Sequence, residues 1–206
     1  MNQVVPGIYH WTVYHEPIGA PVSSYFVPSA GVVIDPKVPG EGFDALPDTP
    51  QQIVLTSGHH RRDAERFADE LGIPIRASRQ AGDHMVGEVA IDPMSDGDEV
   101  APGVTYVHIG KLADDEGALH IAVDRGAIAF ADALNRYEGV LGFFPDELLG
   151  GHPDRVKEGL KDSFRGLLER EFDHLLFAHG DPLVGGGKSA LREFTKTEAG
   201  QERFQP

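Results

Sequence analysis

Ile53-Val54-Leu55 is a short β-branched, apolar run that empties into Thr56-Ser57-Gly58-His59-His60-Arg61-Arg62-Asp63, after which Ala64, Phe67, Ala68 and Leu71 follow at helical spacing. The run suits a buried strand and the later spacing an amphipathic helix, so the stretch predicts strand, polar loop, helix. That order commits the chain to an α/β architecture. It also sets two histidines and two arginines at a strand end, where a rigid strand positions side chains and a loop leaves them reachable.

Strand signals dominate the rest of the first half. Gly7 to Val13 and Ser24 to Val27 are rich in aromatic and β-branched residues, and Gly31 to Ile34 is an apolar run closed by Asp35-Pro36. Pro39 to Pro50 reads as a surface connection, and Gly72 to Ile75 as a further strand candidate. Later come Val104 to Ile109 and a hairpin, Ala118 to Val123 and Ala127 to Ala131, turning at Asp124-Arg125-Gly126. Pro153 opens an amphipathic helix carrying Val156, Leu160, Phe164, Leu167 and Leu168; proline suits a first turn because its missing N–H would have no partner there. Leu175 to Ala178 is a buried strand, and a last helix begins near Lys188. Two blocks of strands, each ending in a helix, predict two sheets packed face to face with helices outside.

With 206 residues the chain fits one domain over positions 1–206, large enough to bury roughly 70% of its unfolded surface. The absence of cysteine rules out disulfides and thiolate metal sites, leaving His, Asp and Glu as metal ligands. A net charge of -15 repels phosphate backbones and anionic membranes, so neither nucleic acid nor membrane is expected as a partner. No basic patch precedes an apolar core at the N-terminus and no apolar run is long enough to span a bilayer; the expected location is cytoplasmic. Oligomeric state is left open.

Three strand ends deliver polar groups: Thr56 to Arg62, Asp132 after Phe130-Ala131, and His179-Gly180-Asp181 after Leu176-Phe177-Ala178. In order and spacing this set resembles the metallo-β-lactamase superfamily. That family carries Thr-His-x-His-x-Asp-His after a strand, a later Gly-His, a strand-end aspartate and a closing histidine. Val33-Ile34-Asp35-Pro36 is similar to its early strand ending in a structural aspartate. The resemblance runs from about Gly7 to Phe194 and implies an αββα four-layer sandwich of two sheets flanked by helices.

In register with that motif, Ser57, Arg61 and Arg62 stand where ligands belong, and Gly110-Lys111 replaces the later Gly-His. His59, Asp132 and His179 stand at matching positions, with His60 beside them. The resemblance therefore implies an eroded dinuclear site. A buried Asp132 without metal would be costly unless paired, and Arg61, Arg62 and Lys111 are the cations available to pair it. The expected state is metal-free, without a cofactor, with those three cations forming a pocket for a small anionic molecule or serving a noncatalytic role. The alternative is a hydrolase of a small ester, thioester or lactone. It would use either one zinc or another divalent ion on His59, Asp132 and His179, with His60 as a possible fourth ligand, or a histidine base and an arginine oxyanion clamp, the catalytic candidates being His59, His60, Asp132 and His179. A third reading is an interaction protein whose pocket is only an ion-pair network.

Gly185-Gly186-Gly187-Lys188-Ser189 is not a phosphate loop, because that pattern needs a glycine where Pro182 stands. His10, His15, His84, His108, His120, His152 and His174 read as structural or surface residues.

Overall fold

The computed structural model describes residues 1–83 and 90–197; His84 lies outside the described residues. In chain order the elements are β1 (Asn2–Val5), β2 (Ile8–His15), β3 (Ala20–Val27), β4 (Val32–Ile34), β5 (Gln52–Val54), α1 (Ala64–Leu71), β6 (Ile75–Ser78) and β7 (Ile91–Met94). Then follow β8 (Glu99–Ala101), β9 (Val104–His108), β10 (Gly117–Ile121), β11 (Ala127–Phe130), β12 (Asn135–Tyr137), β13 (Val140–Gly142), α2 (Pro153–Leu167), β14 (His174–Phe177) and α3 (Gly187–Phe194).

The first seven strands form one sheet in sequential order. Pairing is antiparallel through β4 and parallel from β4 to β7. The second sheet runs β14-β11-β10-β9-β8, with β14 parallel to β11 and the others antiparallel. The hairpin expected from Asp124-Arg125-Gly126 is the β10–β11 pair, in register from Ala118↔Phe130 to Ile121↔Ala127. β12 and β13 make a small separate ribbon that the sequence does not announce.

Side-chain alternation explains the layering. On β3 and β4, Tyr25, Val27, Val32 and Ile34 point inward, where they meet Val104, Leu119, Ile121, Ala129 and Leu176 of the second sheet. Phe26 and Val33 point the other way, against Phe67 of α1 with Ile53 and Ile75. On the second sheet Ile128, Phe130 and Phe177 point outward against Leu160, Phe164 and Leu167 of α2 and Leu191 and Phe194 of α3. The order is therefore helix, sheet, sheet, helices. Each fully buried Leu, Ile or Phe in these layers contributes about 1.5–3 kcal/mol. α2 begins at Pro153 as expected and is the longest helix, and no helix of the described residues is long and apolar enough to cross a membrane.

One corner of the sandwich is tied shut by hydrogen bonds rather than carbon. The buried Tyr25 hydroxyl donates to Phe177 O at 2.8 Å and accepts from Phe177 N at 3.0 Å. Beside it, Ser23 N donates to Ala178 O at 2.9 Å. These bonds join β3 to the end of β14, and so fix His179, the next residue, over the ends of the first sheet's strands.

Removing the Tyr25 hydroxyl leaves two backbone groups of Phe177 without their cross-sheet partner in a dry interior. Tyr25→Phe is expected to lower stability by about 1–3 kcal/mol, read as a lower urea midpoint at unchanged slope. An unchanged midpoint would show that the corner is not held this way.

Candidate functional site

The loop after β5 is shaped by a buried carboxylate. Asp115 Oδ2 accepts from Gly58 N at 2.5 Å and from Ser57 Oγ at 3.3 Å. A Cβ on Gly58 would sit 2.9 Å from that same oxygen, so only glycine brings the loop this close. Ser57 caps a 3-10 turn over Gly58–His60 by accepting from His59 N, and His60 N closes the turn on Ser57 O at 3.0 Å. The turn leaves His59 exposed and drives His60 inward to 4% exposure.

His60 is wedged between two carboxylates. Its Nδ1 lies 2.9 Å from Asp35 Oδ2 and its Nε2 3.1 Å from Asp132 Oδ1. Ionised carboxylates only accept, so both ring nitrogens must donate, and the ring is an imidazolium. Burial opposes that charge, yet Asp132 and then Asp35 outweigh it and push the His60 pKa up to about 10. Asp35, at the end of β4, also accepts from Thr56 N at 2.8 Å and Thr56 Oγ1 at 2.5 Å. Burial pushes its pKa up, but the His60 charge and hydrogen bond, then the Arg62 charge, hold it below the usual carboxylate range.

Asp132, just beyond β11, is the meeting point. Oδ1 lies 3.1 Å from His60 Nε2 and 3.3 Å from His179 Nε2. Burial raises its pKa, but the His60 charge and the His179 hydrogen bond prevail and keep it ionised. His179 is packed edge-on against Phe144 and followed by Gly180, whose φ is 89°. A Cβ on Gly180 would lie 1.8 Å from Arg136 O, so the strand end can pass β12 only as glycine. Beneath Asp132, the buried Glu116 accepts from Ala133 N at 2.6 Å. Burial and then the Asp132 charge raise its pKa well above the ordinary value.

His60, Asp132 and His179 offer one ligand atom each, all within 4.8 Å of one another. The histidine in this group is His60, whereas register with the family motif selects His59; the 3-10 turn reverses which of the pair faces inward. The three cations expected to share a pocket are dispersed. Arg61 forms an ion pair with Glu65 one helical turn on. Lys111 has φ 71° and lays its side chain along Gly159 of α2, lining a different groove. Only Arg62 approaches the cluster. It takes a left-handed φ of 42°, a conformation costing a non-glycine residue about 1–3 kcal/mol. Its guanidinium is aimed inward, donating to Ser23 O and, at 2.7 Å, to Asp35 O. The corrected picture is one buried arginine with a buried imidazolium, rather than a cationic pocket.

Above the cluster opens a cavity of about 820 Å³. Glu116, Asp132 and His179 form its floor; Ala20, Leu112, Ala113, Tyr137 and Phe144 its walls; the exposed Ile18, His59, Glu138 and Leu148, with Pro145, its rim. Sequence reasoning found Asp35, His60, Asp132 and His179, but not Asp115 or Glu116. An acidic run such as Asp114-Asp115-Glu116 reads as a solvated turn, and only its contacts with Gly58 and Ala133 reveal burial.

No model of a known protein family matches the chain, and no curated protein does. Solved structures do. The metallo-β-lactamase of Erythrobacter litoralis superposes with a TM-score of 0.71 at 11% identity, over 95% of this chain and 95% of that one. A metallo-β-lactamase family protein from Thermus thermophilus gives 0.63 at 17% identity, over 94% and 79%. A protein solved in a di-iron-bound form gives 0.61 at 17% identity, over 92% and 93%. At these identities the likeness establishes architecture: the chain has the metallo-β-lactamase fold.

The buried imidazolium ties stability to pH. The folded chain keeps on His60, up to about pH 10, a proton that the unfolded chain releases near 6.5. Its contribution is complete below the lower value and is lost as pH rises toward the upper one. Urea midpoints of the wild type are expected to fall across this window, with a shallower fall in His60→Gln. Parallel pH profiles for the two proteins would sink the assignment.

Proposed function

We propose that this metallo-β-lactamase fold is a small-molecule-binding protein that works without a dinuclear metal centre. The observation that carries the reading is the His60 ring, with each nitrogen facing a different carboxylate, so that a proton balances Asp132 where a metal cation otherwise would. Arg62 adds a second fixed positive charge within reach of Asp35 and Asp132. Both cations oppose metal entry by the same Coulomb repulsion. Two metals also need more donors than the cluster offers, since catalytic zinc sites take about three protein ligands per ion.

The three donors do suit a single ion, and their 4.8 Å grouping favours a second reading as a mononuclear hydrolase of a small ester, thioester or lactone. His60 Nε2, Asp132 Oδ1 and His179 Nε2 would hold the ion. A bound divalent metal would supply water activation, lowering the pKa of water from 15.7 to about 7. To serve as a ligand His60 would have to present an unprotonated Nε2, with Asp35 orienting the ring through Nδ1. In the metal-free state that activation is missing, and a histidine base recovers only about 10²–10⁴-fold.

Elemental analysis of untagged protein, expressed in medium containing zinc, iron and manganese, separates the two. The metal-free reading expects well under one equivalent of any transition metal and a melting temperature unchanged by chelator. Near-stoichiometric metal that is lost in Asp132→Asn would overturn it in favour of the hydrolase.

A further inference from the structure

The cavity's lining carries information about what enters it that the cluster beneath does not. Its walls are carbon, and its rim leaves large apolar side chains in water: Ile18 is 54% exposed and Leu148 64%. They stand on separate 3-10 turns, Glu16–Ile18 and Asp146–Leu148, so an apolar body entering between them dehydrates both at once. A volume of about 820 Å³ lies within the usual range for small-molecule sites and accommodates more than a reacting headgroup.

The ionisable lining is one-sided. Glu138 contributes an exposed carboxylate, Asp132 one already paired with His60, Glu116 a carboxyl group whose charge burial disfavours, and His59 and His179 imidazoles, while no lysine or arginine lines the cavity among the described residues. The cations nearest the cluster are His60, held between Asp35 and Asp132, and Arg62, committed to backbone carbonyls. Tyr137 and Phe144 line the same space and add aromatic surface for an alkyl chain; an onium group is attracted wherever a ring turns its face to it. The whole chain's charge of -15 repels anions before they arrive.

From these observations we propose that the cavity takes a hydrophobic amine: a carbon-rich body lodged between Ile18 and Leu148, with its ammonium beside the exposed Glu138 and Tyr137. This rests on the reading of the cavity as a small-molecule site and adds the class of molecule. It reverses the expectation of an anionic ligand, because the arginines and the lysine that suggested one do not line the space.

The test uses octylamine, octanol and octanoate, which share a chain and differ at the head, titrated into the full-length protein by calorimetry. Octylamine is expected to bind tightest and octanoate weakest, with at least about tenfold between them. Glu138→Gln, at an exposed turn position, should narrow that gap, and Leu148→Ser should weaken all three by about five- to tenfold. Octanoate or octanol binding as tightly as octylamine would overturn the amine assignment and leave the small-molecule site standing. Failure of all three to bind would overturn both.

Discussion

Everything at the open end of this sandwich hangs on one ring. Asp35 closes β4 of the first sheet and Asp132 follows β11 of the second, and His60 joins them with one nitrogen each. Two carboxylates brought together in a buried place repel each other and lose their water; a shared imidazolium removes both penalties and turns repulsion into a cross-link. The ring can reach both only because Asp115 pins Gly58 and starts the 3-10 turn. The Tyr25 and Ser23 bonds to Phe177 and Ala178 set the spacing of the sheets beside it, so that His179 meets the same Asp132 oxygen.

This arrangement solves a problem that the fold inherits. In this chain the fold gathers acidic and imidazole groups, His60, Asp132 and His179, beyond the strand ends of its two sheets. Whichever charge neutralises them decides the chemistry available there. On the metal-free reading proposed above, a protonated histidine and an arginine supply that charge and the site is complete on folding. The left-handed backbone at Arg62 is the visible cost, since that conformation persists only where its surroundings hold it.

Much of the architecture was legible because its signals are local. Val32-Val33-Ile34 and Ile53-Val54 are uninterrupted apolar strands, Asp124-Arg125-Gly126 marks a hairpin, and Pro153 marks a helix start. The β12–β13 ribbon was not, because Asn135-Arg136-Tyr137 has no apolar alternation and its place depends on the close approach of Gly180. At the site, counting from Thr56 along a motif assumes a backbone of fixed pitch. A 3-10 turn rotates successive side chains by about 120°, enough to exchange the roles of adjacent histidines. The cations misled for a related reason: closeness in sequence says nothing about direction. Arg61 turned along its own helix and Arg62 into the protein. Asp115 and Glu116 could not be found from composition at all, since the contacts that reveal them include the backbone N–H groups of Gly58 and Ala133, which any sequence would carry.

The cavity's floor and its rim belong to different kinds of structure. The floor stands on strand ends whose side chains also hold the two sheets in place, so a change there is felt as lost stability. Ile18 and Leu148 stand on short surface turns that contribute almost nothing to the core. Exchange at those two positions can drift freely through sequence space while the protein stays folded. Relatives with the same buried charges and different rims would then form a series in which taste changes and architecture does not, which makes this scaffold a ready starting point for selecting new ligands.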